Sequence, residues 1–146
     1  MSWIIKKFEE LTVFELHEIY SLRTSVFVVE QDCPYQEVDI MDLKASHLYY
    51  EKNSEILAYL RILPAGSYFE ELALGRVLVK KNARGHGLAK ELLEKAIEAV
   101  ANQAIRIEAQ CYLKDFYKSF GFKEVSDEFL EDGIPHVQML KNKKNI

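Results

Sequence analysis

The stretch Leu74-Gly75-Arg76-Val77-Leu78-Val79-Lys80-Lys81-Asn82-Ala83-Arg84-Gly85-His86-Gly87-Leu88-Ala89-Lys90 decides the fold. It reads as the end of a strand over Leu72–Val79, a short basic turn, and a helix that opens on glycine and runs to Ala101. Leu88, Leu92, Leu93, Ala96, Ile97 and Val100 share one helical face, and Glu91, Glu94, Lys95 and Glu98 share the other. A helix start carries backbone N–H groups without intrahelical partners and about half a positive charge. Glycines there let an anion approach the backbone, so the turn reads as a site for a phosphate-bearing ligand. Ala104–Ala109 reads as the next strand, which makes the unit from Leu72 to Glu108 a right-handed crossover between parallel strands.

Outward from this unit, the signals are local and physical. Trp3–Phe8 reads as a first strand. Thr12 followed by Glu15 is a capping box, with Leu11 and Leu16 placed as a hydrophobic staple, so a helix starts there. Leu16, Ile19, Tyr20, Arg23, Val26 and Phe27 keep helical spacing until the helix fades near Val29, ahead of Cys33-Pro34. Glu30–Lys44 is irregular and acidic, a loop with at most a short helix. His47–Glu51 and Ile56–Leu63 form a hairpin around Lys52-Asn53-Ser54. Leu113–Phe120 is a short helix closed by Gly121. Phe122–Leu130 and Val137–Leu140 read as the last two strands, joined by Glu131–His136, with 141–146 a frayed end. The order predicts an α/β domain, a mixed twisted sheet of about seven strands with helices on both faces.

Composition bounds the function. One domain spans the 146 residues, and 49% apolar content supports a real core. A net charge of −4 argues against nucleic acid as the partner. No apolar run approaches the ~18 residues of a membrane span, and Met1–Lys7 lacks signal-peptide order, so no membrane partner and a cytoplasmic location are expected. Cys33 and Cys111 then read as free thiols, and no Cys/His group has zinc spacing, so no metal is expected.

The glycine turn is neither a dinucleotide fingerprint, which needs three spaced glycines and a later acid, nor a Walker loop, which needs Gly-Lys-Ser/Thr. Alone it is compatible with a plain tight turn. Other stretches bear on it. Arg84-x-x-Gly87-x-Ala89 follows a strand and opens a helix, and Phe116-Tyr117-Lys118-Ser119-Phe120-Gly121-Phe122 comes later, with a strand between. This pair resembles the acyl-coenzyme A signatures of the GNAT acetyltransferase superfamily. Arg23-x-x-Val26-Phe27-Val28-Val29-Glu30-Gln31, Cys33-Pro34-Tyr35, Asp39-x-x-Asp42, Gly75-Arg76-Val77 and Glu131-Asp132-Gly133-Ile134-Pro135-His136 together resemble its ElaA-type branch. The resemblance covers nearly the whole chain.

The resemblance implies a GNAT fold over residues 1–146 and acetyl-CoA as co-substrate. The acceptor would be an amine, on a small molecule or a peptide, that attacks the thioester directly. It implies a bulge that splays the strand ending at Val79 from the strand at Ile105. The backbone of Val77, Leu78 and Val79 would then pair with pantetheine, and one N–H there would hold the oxyanion. The N–H groups of Gly85, His86, Gly87, Leu88, Ala89 and Lys90 would hold the pyrophosphate, with Arg84, Lys80 and Lys81 adding charge or simply solvated. Tyr117 would protonate the departing thiolate, with a core role as its alternative and Tyr112 as its competitor. Glu37, Asp39, Asp42, Glu108 and His136 are candidate proton acceptors, Asp39 and His136 foremost. The acidic loop reads equally as a solvated surface or as an attractor of cationic amines, and His136 equally as a brace for its turn. His17 and His47 are left structural, and an acyl-Cys111 intermediate is disfavoured. A non-catalytic coenzyme A sensor, an acyl-homoserine-lactone-synthase-like enzyme and a homodimer remain open.

Overall fold

The computed structural model describes residues 2–101 and 103–143. Eight strands form one sheet: β1 (Ser2–Lys7), β2 (Ser46–Lys52), β3 (Glu55–Leu63), β4 (Leu72–Val79), β5 (Ile105–Gln110), β6 (Lys123–Glu124), β7 (Phe129–Glu131) and β8 (Ile134–Lys141). Their order is β1-β2-β3-β4-β5-β8-β6, with β7 on β8. Among the described residues only β4 and β5 pair in parallel. Three α-helices are added: α1 (Val13–Arg23), continued by π-helical Thr24–Glu30, α2 (Leu88–Ala99) and α3 (Lys114–Lys118).

Strand alternation divides the core. Leu48, Ala58, Leu60 and Ile62 face α2, whose Leu92, Leu93 and Ala96 are buried against them. The intervening Tyr49 and Tyr59 face α1 and meet Ile19, Leu22 and Val26. Helices therefore cover both faces, as expected. Helix α1 starts where its capping box places it. The Thr12 hydroxyl accepts from the Glu15 N–H (3.1 Å), and the Glu15 carboxylate accepts from the Thr12 N–H (2.8 Å). The same carboxylate takes Lys6 from β1 (2.9 Å) and the Tyr49 hydroxyl from β2 (2.7 Å), pinning the helix start to the sheet.

The C-terminal third departs from expectation. Phe122–Leu130 is not one strand: after β6 the polar residues Ser126-Asp127-Glu128 leave the sheet before β7 begins. The return strand starts at Ile134, not Val137. Asp132 and Gly133 form a two-residue hairpin turn with φ of +51° and +77°, and this Asp-Gly signal shortens the expected six-residue connection. Lys141 is no frayed end, since it closes β8 opposite Ile105; 144–146 lie outside the described residues.

Two irregularities shape β4. Tyr59 pairs with Leu78 but Arg61 with Gly75, so β4 carries one residue more than β3 between these pairs. The extra residue is absorbed at Arg76, whose φ is +54°. A non-glycine residue in that region costs about 1–2 kcal/mol. On its other side β4 pairs with β5 only at Leu72–Ile105 and Ala73–Arg106, after which the two strands part.

Burial raises the Glu15 carboxyl, but bonds from the Thr12 N–H, Lys6 and Tyr49 outweigh it and bring its pKa down to about 2. A folded-state value below the unfolded 4.5 means stability that is complete above pH 4.5 and lost as pH falls toward 2. Glu15→Gln should cost about 1 kcal/mol at neutral pH. It should also flatten the acid limb of stability measured by urea unfolding.

Candidate active site

Where β4 and β5 part, a cleft of about 540 Å³ opens. Gly75–Val79 form one wall and Ile107–Gln110 the other. Val77, Leu78, Val79, Arg84, Tyr117, Asp39 and His136 all line it, so residues far apart in sequence are brought to one place.

Backbone direction along β4 follows from one bond. Lys80 donates its N–H to Leu57 O (2.8 Å), so by alternation Val79 turns its N–H and C=O away from β3 and toward the gap. The Val79 carbonyl there accepts from Arg84 Nε (2.9 Å). The rest of the Arg84 guanidinium grips the Glu30 carboxylate (2.7 and 2.9 Å), joining the π-helical turn to the glycine turn across the cleft mouth. Gly85 and Gly87 have φ of +85° and +81°, and no side chain caps α2. Gly85, His86, Gly87, Leu88, Ala89 and Lys90 do not line the cleft; they form an adjoining turn, exposed through Gly87, whose first helical N–H groups are unclaimed by any cap.

Tyr117 is placed by the end of α3. The Gly121 N–H bonds Lys118 O (3.0 Å) and the Phe122 N–H bonds Tyr117 O (3.4 Å), a Schellman closure with Gly121 at φ +96°. That motif brings its flanking apolar residues together, and the Tyr117 and Phe122 rings meet edge-on at 5.9 Å. The Tyr-x-x-x-Gly-Phe spacing is thus a helix stop that fixes a tyrosine. Tyr117 is buried, and burial first, then Tyr112, pushes its phenol above the ordinary range. Tyr112 also lines the cleft but is largely exposed.

The acidic loop is not a solvated surface. Glu37 and Asp42 are 4% and 1% exposed, do not line the cleft, and both bind the fully buried Arg23 (3.0 and 2.7 Å). Asp39 reaches the cleft, but both its oxygens are taken by Arg61 (2.6 and 3.0 Å) and it caps the short helix Ile40–Leu43. Burial alone would raise the Asp39 carboxyl; the Arg61 bonds outweigh it and hold it below the usual range. So bound, it is a poor proton acceptor, contrary to expectation. Arg61 stands inside the apolar run Ile56–Leu63, where a lone charge signals a buried partner. His47 is structural as expected: its Nε2–H donates to Asp42 O (3.0 Å) and its Nδ1 accepts from the Tyr59 hydroxyl (2.6 Å).

His136 has the opposite character. It is 8% exposed and stacks on Phe129 at 6.0 Å. Its Nδ1–H donates to Ile134 O (2.7 Å), so in the neutral ring Nε2 is the acceptor nitrogen, and it stands 3.7 Å from Glu131. Glu108 and Glu131 share this end of the cleft, where burial first, then Glu108, raises the Glu131 carboxyl. Tyr68 stands beside Glu108; an aromatic pair in a loop bounded by Gly66-Ser67 was its sequence signal. Cys111 does not line the cleft, and burial, with Glu128, pushes its thiol up.

The model of the acetyltransferase (GNAT) domain matches residues 15–143. The chain belongs to the GNAT acetyltransferase family. Its relatives include the ElaA protein of Escherichia coli, 38% identical over 97% of this chain and 96% of that one. A UPF0039 protein of Schizosaccharomyces pombe is 41% identical over 95% of each chain. An acyl-CoA N-acyltransferase structure from Pseudomonas aeruginosa superposes with a TM-score of 0.92 at 40% identity, covering 96% of this chain and 98% of that one. Family membership supports acyl transfer from coenzyme A by this GNAT domain.

In this GNAT domain Arg84 must exchange Glu30 for phosphate if it is to touch the cofactor. Glu30→Gln should therefore raise coenzyme A affinity in calorimetry by up to about fivefold, because an exposed ion pair is worth at most ~1 kcal/mol.

Proposed function

We propose that this GNAT domain moves an acetyl group from acetyl-CoA to a primary amine by direct attack on the thioester. The observation that carries the reading is the parting of β4 from β5, with Tyr117 and His136 lining the same gap. Pantetheine lies between the strands and pairs with the backbone of Val77–Val79. The pyrophosphate takes the N–H groups of Gly85–Lys90, and Arg84 turns to it. The acetyl carbonyl accepts from a β4 N–H in the gap, and that donor holds the oxyanion as the amine adds.

The proton balance uses two residues. His136 Nε2 takes the proton from the attacking nitrogen, and Glu131 stabilises the imidazolium. As the C–S bond breaks, Tyr117 gives its proton to the sulfur; its raised pKa keeps the phenol neutral until then. Asp39 takes no part in this scheme, because Arg61 and Arg76 already claim it. A thiol such as Cys111, held protonated and off the cleft, is not needed as a carrier, which favours direct transfer.

The competing reading is a sensor that binds coenzyme A without turnover. Thiol release from acetyl-CoA across a panel of amines separates the two, since binding with no release on any amine favours the sensor. Tyr117→Phe should lower kcat about a hundredfold while calorimetry shows little change in cofactor affinity; unchanged turnover would remove Tyr117 from the chemistry. Gly87→Val places a branched residue at φ +81° and a side chain where phosphate would lie. It should abolish coenzyme A binding while circular dichroism stays native, and normal binding would refute the pyrophosphate site.

A further inference from the structure

Six non-glycine residues have positive φ among the described residues. Asp32, Asn53, Ser54, Ala101 and Asp132 lie in turns; Arg76 alone lies inside a strand. Glycine would adopt that conformation freely, so a long charged side chain at this point calls for a compensating hold. The hold is visible. Arg76 Nε stands 2.5 Å from Glu37 Oε1, close but without hydrogen-bond alignment. Its Nη2 donates to Glu37 O (2.9 Å) and approaches Asp39 (3.4 Å), and its guanidinium lies over the Tyr35 ring at 5.6 Å. Every one of these partners belongs to the loop 31–44.

That loop is itself fixed from below. Arg23 holds Glu37 and Asp42, and Arg61 holds Asp39 and Asp42. Its Tyr35, Gln36 and Asp39 line the cleft. Arg76 therefore joins two walls of one cavity, the loop and the kinked strand.

We propose that Arg76 is a positioning residue that couples the loop 31–44 to the β4 bulge, so that the loop sets the aim of the backbone donors of Val77 and Val79. The coupling rests on the acyl-transfer reading for its catalytic meaning, but not for its existence. A molecule docking against Tyr35 and Asp39 shifts the partners of Arg76 and so adjusts the strand that holds the thioester. Acceptor binding and oxyanion geometry are then one linked event.

Arg76→Gly removes the hold while accommodating the backbone, and Arg76→Lys keeps the charge without the planar fork. Amide hydrogen exchange at Val77, Leu78 and Val79, measured without cofactor, should quicken in both variants and more in the glycine one. In thiol release kcat should fall about a hundredfold in Arg76→Gly with the KM for acetyl-CoA nearly unchanged. Free guanidinium ion, below denaturing concentration, should restore part of that turnover in the glycine variant and none in the lysine variant. Wild-type exchange and turnover in both variants, or a rise in KM with kcat intact, would overturn the proposal. Should Arg76→Gly fail to fold, Arg76→Lys carries the same exchange and kinetic readouts. Absence of thiol release by the wild type on every amine would instead sink the transfer reading, and the exchange data would still decide the coupling.

Discussion

Strand β4 cannot lie flat between two neighbours. It holds one more residue than β3 allows, and the excess is turned out at Arg76. A kinked strand leaves β5 after two pairs, and a parallel ladder once broken does not resume within such a short strand. The remaining features follow from that separation. The Schellman closure after α3 sets Tyr117 in the gap, which ends at the turn that leads into α2. Helix α2 packs its apolar face on β2, β3 and β4, which is why it can carry a polar, exposed first turn without losing its place.

The second constraint is electrostatic. Three guanidinium groups, Arg23, Arg61 and Arg76, meet three carboxylates, Glu37, Asp39 and Asp42, mostly out of water. Burying a single ion costs several kcal/mol, and matched charge recovers most of it, so such a cluster adds little net stability. What it supplies is uniqueness. The loop 31–44 contains one short 3-10 turn, and few of its backbone groups bond to one another. Without the arginines it would have many conformations of similar energy; with them, each carboxylate has one place to go.

Local signals carried the sequence reading further than long-range ones. The Thr12–Glu15 box, the strand Leu72–Val79 and the Tyr117–Phe122 spacing are each encoded within a few residues and appear where they were read. Asp39-x-x-Asp42, noted in the sequence only for its resemblance, forms a capping box on a short helix. Its other bonds were illegible, because Arg23, Arg61 and Arg76 lie 19 to 37 residues away from the carboxylates they bind there. No periodicity announces such a pairing, so a buried ion cluster and a solvated acidic loop look alike in sequence. His136 was ambiguous for a different reason: one ring has two nitrogens, and the bond that braces the turn uses Nδ1 alone. The glycine turn was legible as the opening of α2, but its place beside the cleft rather than in it depends on how β4 bends. The broken strand after Phe122 was missed because the Asp-Gly turn was read as part of a longer connection.

The gap between β4 and β5 is an edge inside a sheet. Outer edges of soluble sheets are commonly kept short, charged or covered, since open backbone invites another strand. Here the open edge faces inward, and an extended guest with amide groups at strand spacing can occupy it. Such a guest would act as a ninth strand, joining β1–β4 to β5–β8 where the chain itself provides only two pairs. Ligand and architecture then share the same bonds. Melting temperature would climb with guest concentration as a matter of mass action.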